Sequence, residues 1–398
     1  MSVPPSPTPT RAIALLAFAA FASQAMVRVS DPLLPQIAAD IGTTAGAASV
    51  VASAYAIAHG TTQAVTGPLG DRWPKYRTVM VLCALSGVAT LACALSQSLA
   101  TLALARLACG ITAGMIIPLG MAFVGDVVPY AQRQPVLGRF ISGQIAGLLF
   151  GQVAGGVIGD WFGWRAVFFF LAGLFGLAVA ALAREYAANP VARAAVRAPE
   201  GRGGLIEDYR RVLGRPWARI VTLGVFLEGA LMFGALTYVG ADLHARHGLG
   251  FSAVGGALAA FALGGLVYAA SVKPLVDRLG QRGLATAGGV LVALSYGMVA
   301  LGPAWWLAVA ALVTVGLGFY MLHNTLQVNA TQMAPDARST ALGIFSAALY
   351  LGMSAGVMIA APLFDRFGGP PVFLGTAILF PLLAFWVAWH LRRRPVGP

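Results

Sequence analysis

The sequence has 398 residues, of which 58% are hydrophobic and only 10% are charged, and its mean hydropathy is +0.79. Soluble domains carry about 25% charged residues, so this composition excludes a soluble globular protein. The net charge of +12 does not indicate nucleic-acid binding, because membrane topology explains where the charges lie. Helices are the expected spanning elements, since each unpaired backbone group in hydrocarbon costs several kcal/mol.

In chain order, the apolar runs predict twelve transmembrane helices of about 20 residues each. They are residues 11–35, 45–69, 77–96, 100–126, 136–159, 164–185, 217–241, 252–275, 283–301, 304–330, 338–363 and 371–391. No signal-peptide cleavage pattern follows the N-terminal segment, so the first run is predicted to be a retained span. The predicted organisation is a disordered cytoplasmic N-terminus, a six-helix bundle, a basic cytoplasmic linker, a second six-helix bundle and a cytoplasmic tail, over residues 1–10, 11–186, 187–216, 217–391 and 392–398.

The distribution of cations predicts the orientation. Most of the 26 Lys and Arg residues fall in segments on the side of the two termini, whereas the opposite side holds Arg165, Arg246 and Arg366. Cytoplasmic loops carry the excess of positive charge in membrane proteins. We therefore expect a multi-pass protein of the cell (inner) membrane with both termini in the cytoplasm.

The two halves repeat each other. Pro-Leu-x-Asp-Arg occurs at residues 68–72 and again at 274–278, each time between two apolar runs. In the same way, Asp160-Trp-Phe-Gly163 matches Asp365-Arg-Phe-Gly368. Two parallel six-span repeats are typical of a secondary transporter whose halves rock about a central site.

Three motifs resemble those of the major facilitator superfamily, over nearly the whole chain. They are Gly67-x-Leu69-x-Asp71-Arg72 after span 2, Arg106-x-x-x-Gly110-x-x-x-Gly114 in span 4, and a span-5 glycine series that includes Gly138, Gly147, Gly151, Gly155 and Gly156. The span-5 series is similar to the antiporter pattern of that superfamily, but Gln152 stands where proline is expected. The resemblance implies an all-α integral membrane fold, with twelve transmembrane helices in two pseudo-symmetric six-helix bundles.

Two further segments resemble the bacterial drug:proton antiporter and arabinose-efflux-type branch. They are Asp31-Pro-Leu-Leu-Pro35 in span 1 and His323-Asn324-Thr325 in span 10. This resemblance implies proton-coupled export of a small organic compound, such as a drug or a sugar, by alternating access.

The loop motif predicts a cytoplasmic gate. Asp71 can meet the positive N-terminal dipole of another helix, and Arg72 can pair with Asp126 at the end of span 4. The alternative is a loop of topology charges. The full predicted gate comprises Gly67, Asp71, Arg72, Arg77, Asp126, Asp277 and Arg278.

Gly147, Gly151 and Gly155 are four residues apart, so they line one face of a helix. Small residues at this spacing let two membrane helices approach closely. They are predicted to be helix-packing residues.

Four ionisable residues inside predicted spans are candidates for proton coupling, because charge within a membrane is costly. Arg28 and Asp31 are three residues apart on span 1. They either neutralise each other, or Asp31 binds a substrate cation or a proton. Arg106 matches the span-4 motif arginine, which the superfamily links to proton transfer or to substrate anions; the alternative is a structural tie.

Glu228 lies near the middle of span 7, with no basic residue close to it in sequence. Burial favours the neutral form of a carboxyl group, so Glu228 is predicted to take up and release the coupled proton. The alternative pairs it with Arg106 or Arg28 across the cavity, and both hold if an arginine displaces the proton.

Two polar stripes are predicted to face a central cavity, since exposing them to hydrocarbon is costly. Helical spacing aligns Tyr55, His59 and Gln63 on span 2, and aligns Tyr320, His323, Asn324 and Gln327 on span 10. In the superfamily that the chain resembles, spans 1, 4, 7 and 10 line the cavity.

The expected partners are a small-molecule substrate, protons and the lipid bilayer, with no nucleic acid and no cofactor, and the chain is expected to be a monomer. No metal-ligand cluster, phosphate-binding loop or catalytic constellation is present in the sequence, so no enzyme is expected. The three cysteines lie in apolar runs as core residues. A proton symporter or uniporter for metabolite uptake remains the alternative, whereas a membrane sensor would need a large soluble output domain.

Overall fold

The computed structural model describes residues 9–70, 73–193 and 205–393, and within these ranges it contains helices and no strand. Asp71 and Arg72 lie outside the described residues, as do the greater part of the predicted N-terminal segment, the middle of the predicted linker and the end of the predicted tail. The predicted all-α membrane fold is confirmed.

The helices follow the predicted spans closely. They are α1 Thr10–Val27, α2 Leu34–Ile41, α3 Ala45–Ala48, α4 Val50–Gly70, α5 Lys75–Leu95, α6 Leu99–Ala113, α7 Ile116–Val127, α8 Tyr130–Phe162, α9 Trp164–Ala188, α10 Pro190–Arg193, α11 Leu205–Leu213, α12 Pro216–His247, α13 Phe251–Leu301, α14 Trp305–Ala330, α15 Arg338–Phe367 and α16 Gly369–Arg393. The described part of the chain also contains two 3-10 turns, Asp31–Leu33 and Pro335–Ala337.

Ten helical segments within the described ranges are long and apolar enough to cross a membrane. The longest, α13, has 51 residues and is interrupted at Gly280, where φ is 59° and ψ is 179°. Only glycine adopts such a backbone conformation without a steric penalty, so Gly280 separates two helical stretches. The interruption falls between predicted spans 8 and 9. The count of twelve spans stays a prediction.

Each half of the chain has its own hydrophobic core. One core is built from residues between Ala12 and Ala192, and the other mainly from residues between Val212 and Ala388. The halves meet where α4 packs against α15 and where α8 packs against α13. Many large apolar side chains point outward, as expected for a surface covered by lipid rather than by water.

Two carboxylates join the halves at the helix ends opposite the linker, called here the far end. Asp160, near the end of α8, accepts hydrogen bonds from the Phe251 and Ser252 amides (3.3 and 3.1 Å) and from the Ser252 hydroxyl (2.7 Å). Asp365, near the end of α15, accepts hydrogen bonds from the Gly46 amide (2.8 Å) and the Thr44 hydroxyl (2.7 Å). Asp160 therefore caps the first turn of α13, and Asp365 caps the first turn of α3, so that each carboxylate binds a helix of the opposite half.

Candidate functional site

The site is built around a break in the first membrane segment. Pro32 and Pro35 lack a backbone N–H, and a proline ring clashes with the carbonyl four residues earlier. Helix α1 accordingly ends at Val27, and a 3-10 turn leads into α2. The break leaves carbonyl groups of the last α1 turn without partners in their own helix.

Arg106 of α6 binds these free carbonyls. Its guanidinium donates to the Met26 oxygen (3.1 Å), to the Val27 oxygen (3.5 Å) and to the Val51 oxygen of α4 (3.2 Å). The same group lies 4.4 Å from the centre of the Tyr55 ring, a favourable cation–π distance. Arg106 is fully buried, so it holds α1, α4 and α6 together at the break.

Arg28 sits at the end of α1 and reaches the other half of the protein. It forms a buried ion pair with Asp31 (2.5 Å). It also donates to the Thr237 hydroxyl of α12 (3.4 Å) and lies 4.9 Å from the centre of the Phe233 ring. The pair is thus neutralised within the first half while Arg28 contacts the second.

Glu228 of α12 is completely buried, and its partner is His323 of α14. Their Oε2 and Nδ1 atoms are 2.8 Å apart, and Glu228 Oε1 has no hydrogen-bond partner within the described structure. The alternative that pairs Glu228 with Arg28 or Arg106 does not hold here, because those arginines contact Asp31 and the α1 carbonyls instead.

Aromatic rings separate the two ionisable groups. The Phe233 ring that Arg28 faces lies 5.3 Å from the Phe319 ring, and Phe319 stacks on His323 at 5.0 Å. A chain of ring contacts therefore leads from the Arg28–Asp31 pair to the Glu228–His323 pair. The two pairs are therefore connected through ring contacts of Phe233 and Phe319.

The polar stripe of α4 lies at the boundary between the halves. The His59 ring packs against Tyr55 at 5.4 Å and, across the boundary, against Tyr350 of α15 at 4.2 Å. Gln63 donates to the Gly114 carbonyl (3.0 Å), which is free at the junction of α6 and α7, and its Nε2 lies 3.3 Å from His59 Nε2. The Tyr55 hydroxyl and His59 Nδ1 are buried without a hydrogen-bond partner in the described structure.

The residues of the polar stripe on α14 contact different partners. His323 binds Glu228, and Asn324 donates to the Tyr268 hydroxyl of α13 (2.6 Å). Tyr320 stacks on Tyr268 with ring centres 6.5 Å apart. Gln327, the fourth predicted member, is exposed.

The glycine face of α8 packs directly on α1. A Cβ atom added at Gly147, Gly151 or Gly155 would collide with the carbonyl of Phe21, Ala25 or Val29, respectively. Only residues without side chains let the two backbones come this close. The face therefore holds α8 against the broken segment that carries Arg28 and Asp31.

The predicted gate residues are dispersed. Asp126 pairs with Lys75 at 2.6 Å, which ties α5 to α7 within one half rather than joining the halves. Arg77, Asp277 and Arg278 are exposed, and Gly67 lies in the last turns of α4. The predicted partner of Asp126, Arg72, lies outside the described residues.

Sequence reasoning missed Lys75, Tyr268 and Tyr350. Lys75 was visible only as a loop charge, and no pattern within one helix links Tyr268 to Asn324 or Tyr350 to His59. Among the described residues, no group of three or more His, Cys, Asp and Glu side chains can hold a metal ion.

Comparisons with known proteins cover nearly the whole chain. The model of the Major Facilitator Superfamily matches residues 16–357 and, in a second match, residues 247–398. An uncharacterized MFS-type transporter of Bacillus subtilis (strain 168), YceJ, is 28% identical over 361 residues, 88% of this chain and 89% of the relative. A chloramphenicol resistance protein of Streptomyces lividans is 26% identical over 366 residues, 90% of this chain and 91% of that protein.

A solved structure has the same fold. A bacterial homologue of the human lysosomal transporter Spinster superposes with a TM-score of 0.79, covering 99% of this chain and 100% of that one. The two sequences are only 16% identical, so this likeness concerns the fold alone.

Proposed function

This chain belongs to the Major Facilitator Superfamily, and we propose that it exports a small organic compound in exchange for protons. Its similarity to MFS-type transporters supports secondary transport across a membrane. Glu228 carries the proton in this proposal. Asp31, Arg28 and Arg106 form the second ionisable group of the cavity. Both termini lie in the cytoplasm and the protein resides in the inner membrane.

One observation carries the proposal of proton coupling: a fully buried carboxyl group whose partner is a histidine rather than an arginine. A permanent cation beside Glu228 would hold it ionised. Histidine is not a permanent cation, and its Nδ1 lies 2.8 Å from Glu228 Oε2, so no fixed positive charge opposes a proton on Glu228. A carboxyl group in an apolar environment favours the neutral form until water or a substrate cation reaches it.

The placement of the pairs supports a mechanism of alternating access. Arg28 belongs to the first half and contacts Thr237 and Phe233 of the second, so rocking of the halves changes its contacts. Glu228 and His323 belong to the second half and move together. Substrate entering between the halves then competes with the proton on Glu228, and the unpartnered Tyr55 hydroxyl and His59 Nδ1 offer it hydrogen bonds.

The direction of transport is inferred from a relative. The chloramphenicol resistance protein of Streptomyces lividans aligns with 90% of this chain, and export is the direction in which this chain would lower the concentration of a toxic compound in the cell. One proton moving down a 100 mV potential supplies about 2.3 kcal/mol. This energy sustains a concentration ratio of about 50-fold, since each 1.4 kcal/mol corresponds to a factor of ten.

Proton flux in everted membrane vesicles tests the proposal. Cationic, neutral and anionic compounds are added to energised vesicles that contain the wild type, Glu228→Gln or the control Glu207→Gln, whose side chain is exposed on α11. We expect a substrate to release protons from vesicles with the wild type and the control, but not with Glu228→Gln. Full proton release by Glu228→Gln would refute the role of Glu228. Metabolite uptake without proton release would favour a uniporter.

A further inference from the structure

A groove of about 600 Å³ lies between α4, the linker helix α11 and the first turn of α12. Its apolar wall includes Val65, Ile206 and Leu213, and Arg210 and Arg219 lie at its edge. The groove is remote from the central site, because it lies on the side of α4 that carries Thr61 and Val65 rather than on the side of His59 and Gln63.

Helix α11 is anchored by one side and leaves apolar groups uncovered on another. Val212 is fully buried, and the Tyr209 hydroxyl donates to the Ala64 carbonyl of α4 at 2.5 Å. In contrast, Ile206 is 69% exposed and Leu213 is 36% exposed. An amphipathic helix with such side chains lies in the interface of a bilayer, with its apolar groups towards the acyl chains.

The groove lies close to the ends of two membrane helices. Val65 precedes the end of α4 at Gly70 by five residues, which is about 7.5 Å along a helix that rises 1.5 Å per residue. Arg219 lies in the first turn of α12, which begins at Pro216. The arginines therefore lie at the helix ends, and the apolar wall extends from them along α4.

The arginines at and near the groove differ in whether they pair with an acidic side chain. Arg211, on the same helix, pairs with Asp208 at 3.3 Å and with Glu207 at 3.5 Å. Arg219 donates to the Leu213 carbonyl at 2.6 Å, which leaves its charge uncompensated. Arg210 has no acidic partner within the described part of the chain. The groove thus presents two arginines without acids above an apolar channel.

We propose that this groove binds an anionic phospholipid, with its phosphate on Arg210 and Arg219 and an acyl chain along Val65, Ile206 and Leu213. Basic pockets at the cytoplasmic side of membrane helices recognise anionic headgroups in this way. The bound lipid fastens α11, one of the two described helices of the predicted linker, to α4. This inference rests on the proposed cytoplasmic position of the linker, but it does not depend on the transported compound or on proton coupling.

Native mass spectrometry of the full chain tests this site with phosphatidylglycerol and phosphatidylcholine of identical acyl chains. The wild type is expected to retain phosphatidylglycerol at least five-fold better. Arg210→Gln should lose about five-fold in phosphatidylglycerol affinity, the usual contribution of one arginine near a lipid surface. The matched control Arg211→Gln should stay within two-fold of the wild type, because its charge is already paired.

A second variant keeps the test independent of charge. Thr61→Trp fills the groove from the exposed side of α4 and should displace the lipid while Arg210 remains. Equal retention of both lipids by the wild type, or equal losses in Arg210→Gln and Arg211→Gln, would overturn the proposal. So would competition by soluble glycerol phosphate as effective as that by phosphatidylglycerol, since it would indicate an anion site without an acyl-chain channel.

Discussion

Removing the two far-end carboxylates should shift the protein towards a conformation that is open at that end. Asp160 and Asp365 each cap a helical turn of the opposite half, with two or more hydrogen bonds. Loss of an N-cap costs about 1 kcal/mol, and both side chains are exposed, which limits the added contribution of charge. Each Asp→Ala substitution should therefore shift the closed-to-open ratio about five-fold, and both together about 30-fold, because the sites are separate.

Double electron–electron resonance measures this shift as a change in the distance between two spin labels across the far end. Spin labels are placed at exposed Gln97 of the first half and Leu301 of the second, in a background where the three buried cysteines are replaced by alanine. The double variant should gain a population at longer distance, and each Asp→Asn variant should show a smaller effect because it keeps an acceptor. A double variant with the distance distribution of the wild type would refute the role of Asp160 and Asp365 in holding the far end closed. Glu207→Ala at the linker end serves as the control.

Three further substitutions test the packing and charge of the site. Gly151→Val would drive a side chain into the Ala25 carbonyl, so the variant should lose its monodisperse peak in size-exclusion chromatography; a normal peak would contradict the packing. Arg106→Lys replaces three separate guanidinium nitrogens, each bound to a different carbonyl, with a single ammonium nitrogen, so transport should fall at least ten-fold with the protein still folded; normal transport would contradict the structural role of Arg106. Asp126→Asn leaves Lys75 buried without an anion, which should lower the thermal midpoint by several degrees, equivalent to about 1–3 kcal/mol after allowing for the partial exposure of Asp126; an unchanged midpoint would show that water already solvates Lys75.

The fold was largely predictable because the bilayer restricts the choices. Apolar runs of fixed length specify helices, and the halves repeat recognisable segments. Even the break in the first membrane segment coincides with Asp31-Pro-Leu-Leu-Pro35, a segment whose two prolines are visible in the sequence. The interruption at Gly280 falls where the polar residues between two apolar runs predicted a loop, although the chain there passes from one helix to the next through a single glycine.

The pairing within the site was much less predictable. Glu228 and His323 were both candidates, but they are 95 residues apart, and no local pattern links α12 to α14. The only partners that the sequence analysis offered for Glu228 were Arg106 and Arg28, as the alternative to its role in proton coupling. The sequence did not reveal that the proline break in α1 frees carbonyl groups that occupy Arg106. Tertiary packing decided these partners.

The contacts of Tyr350 and Lys75 illustrate the same limit. Tyr350 meets His59 only because α15 packs against α4 across the boundary between the halves. Lys75 looks like one cation among several in a loop motif, yet it is 3% exposed and bound to Asp126. Burial of a charge depends on which helices surround it, and spacing along one helix does not contain that information.

Proton release on substrate binding to the purified protein tests the central claim most directly. A compound identified in the vesicle assay is added in weakly buffered detergent solution to the wild type, to Glu228→Gln and to the exposed control Glu207→Gln, and the pH change is recorded. The account predicts about one proton released per bound compound by the wild type and the control, and none by Glu228→Gln. Equal release from all three proteins would contradict the assignment of Glu228 as the proton carrier.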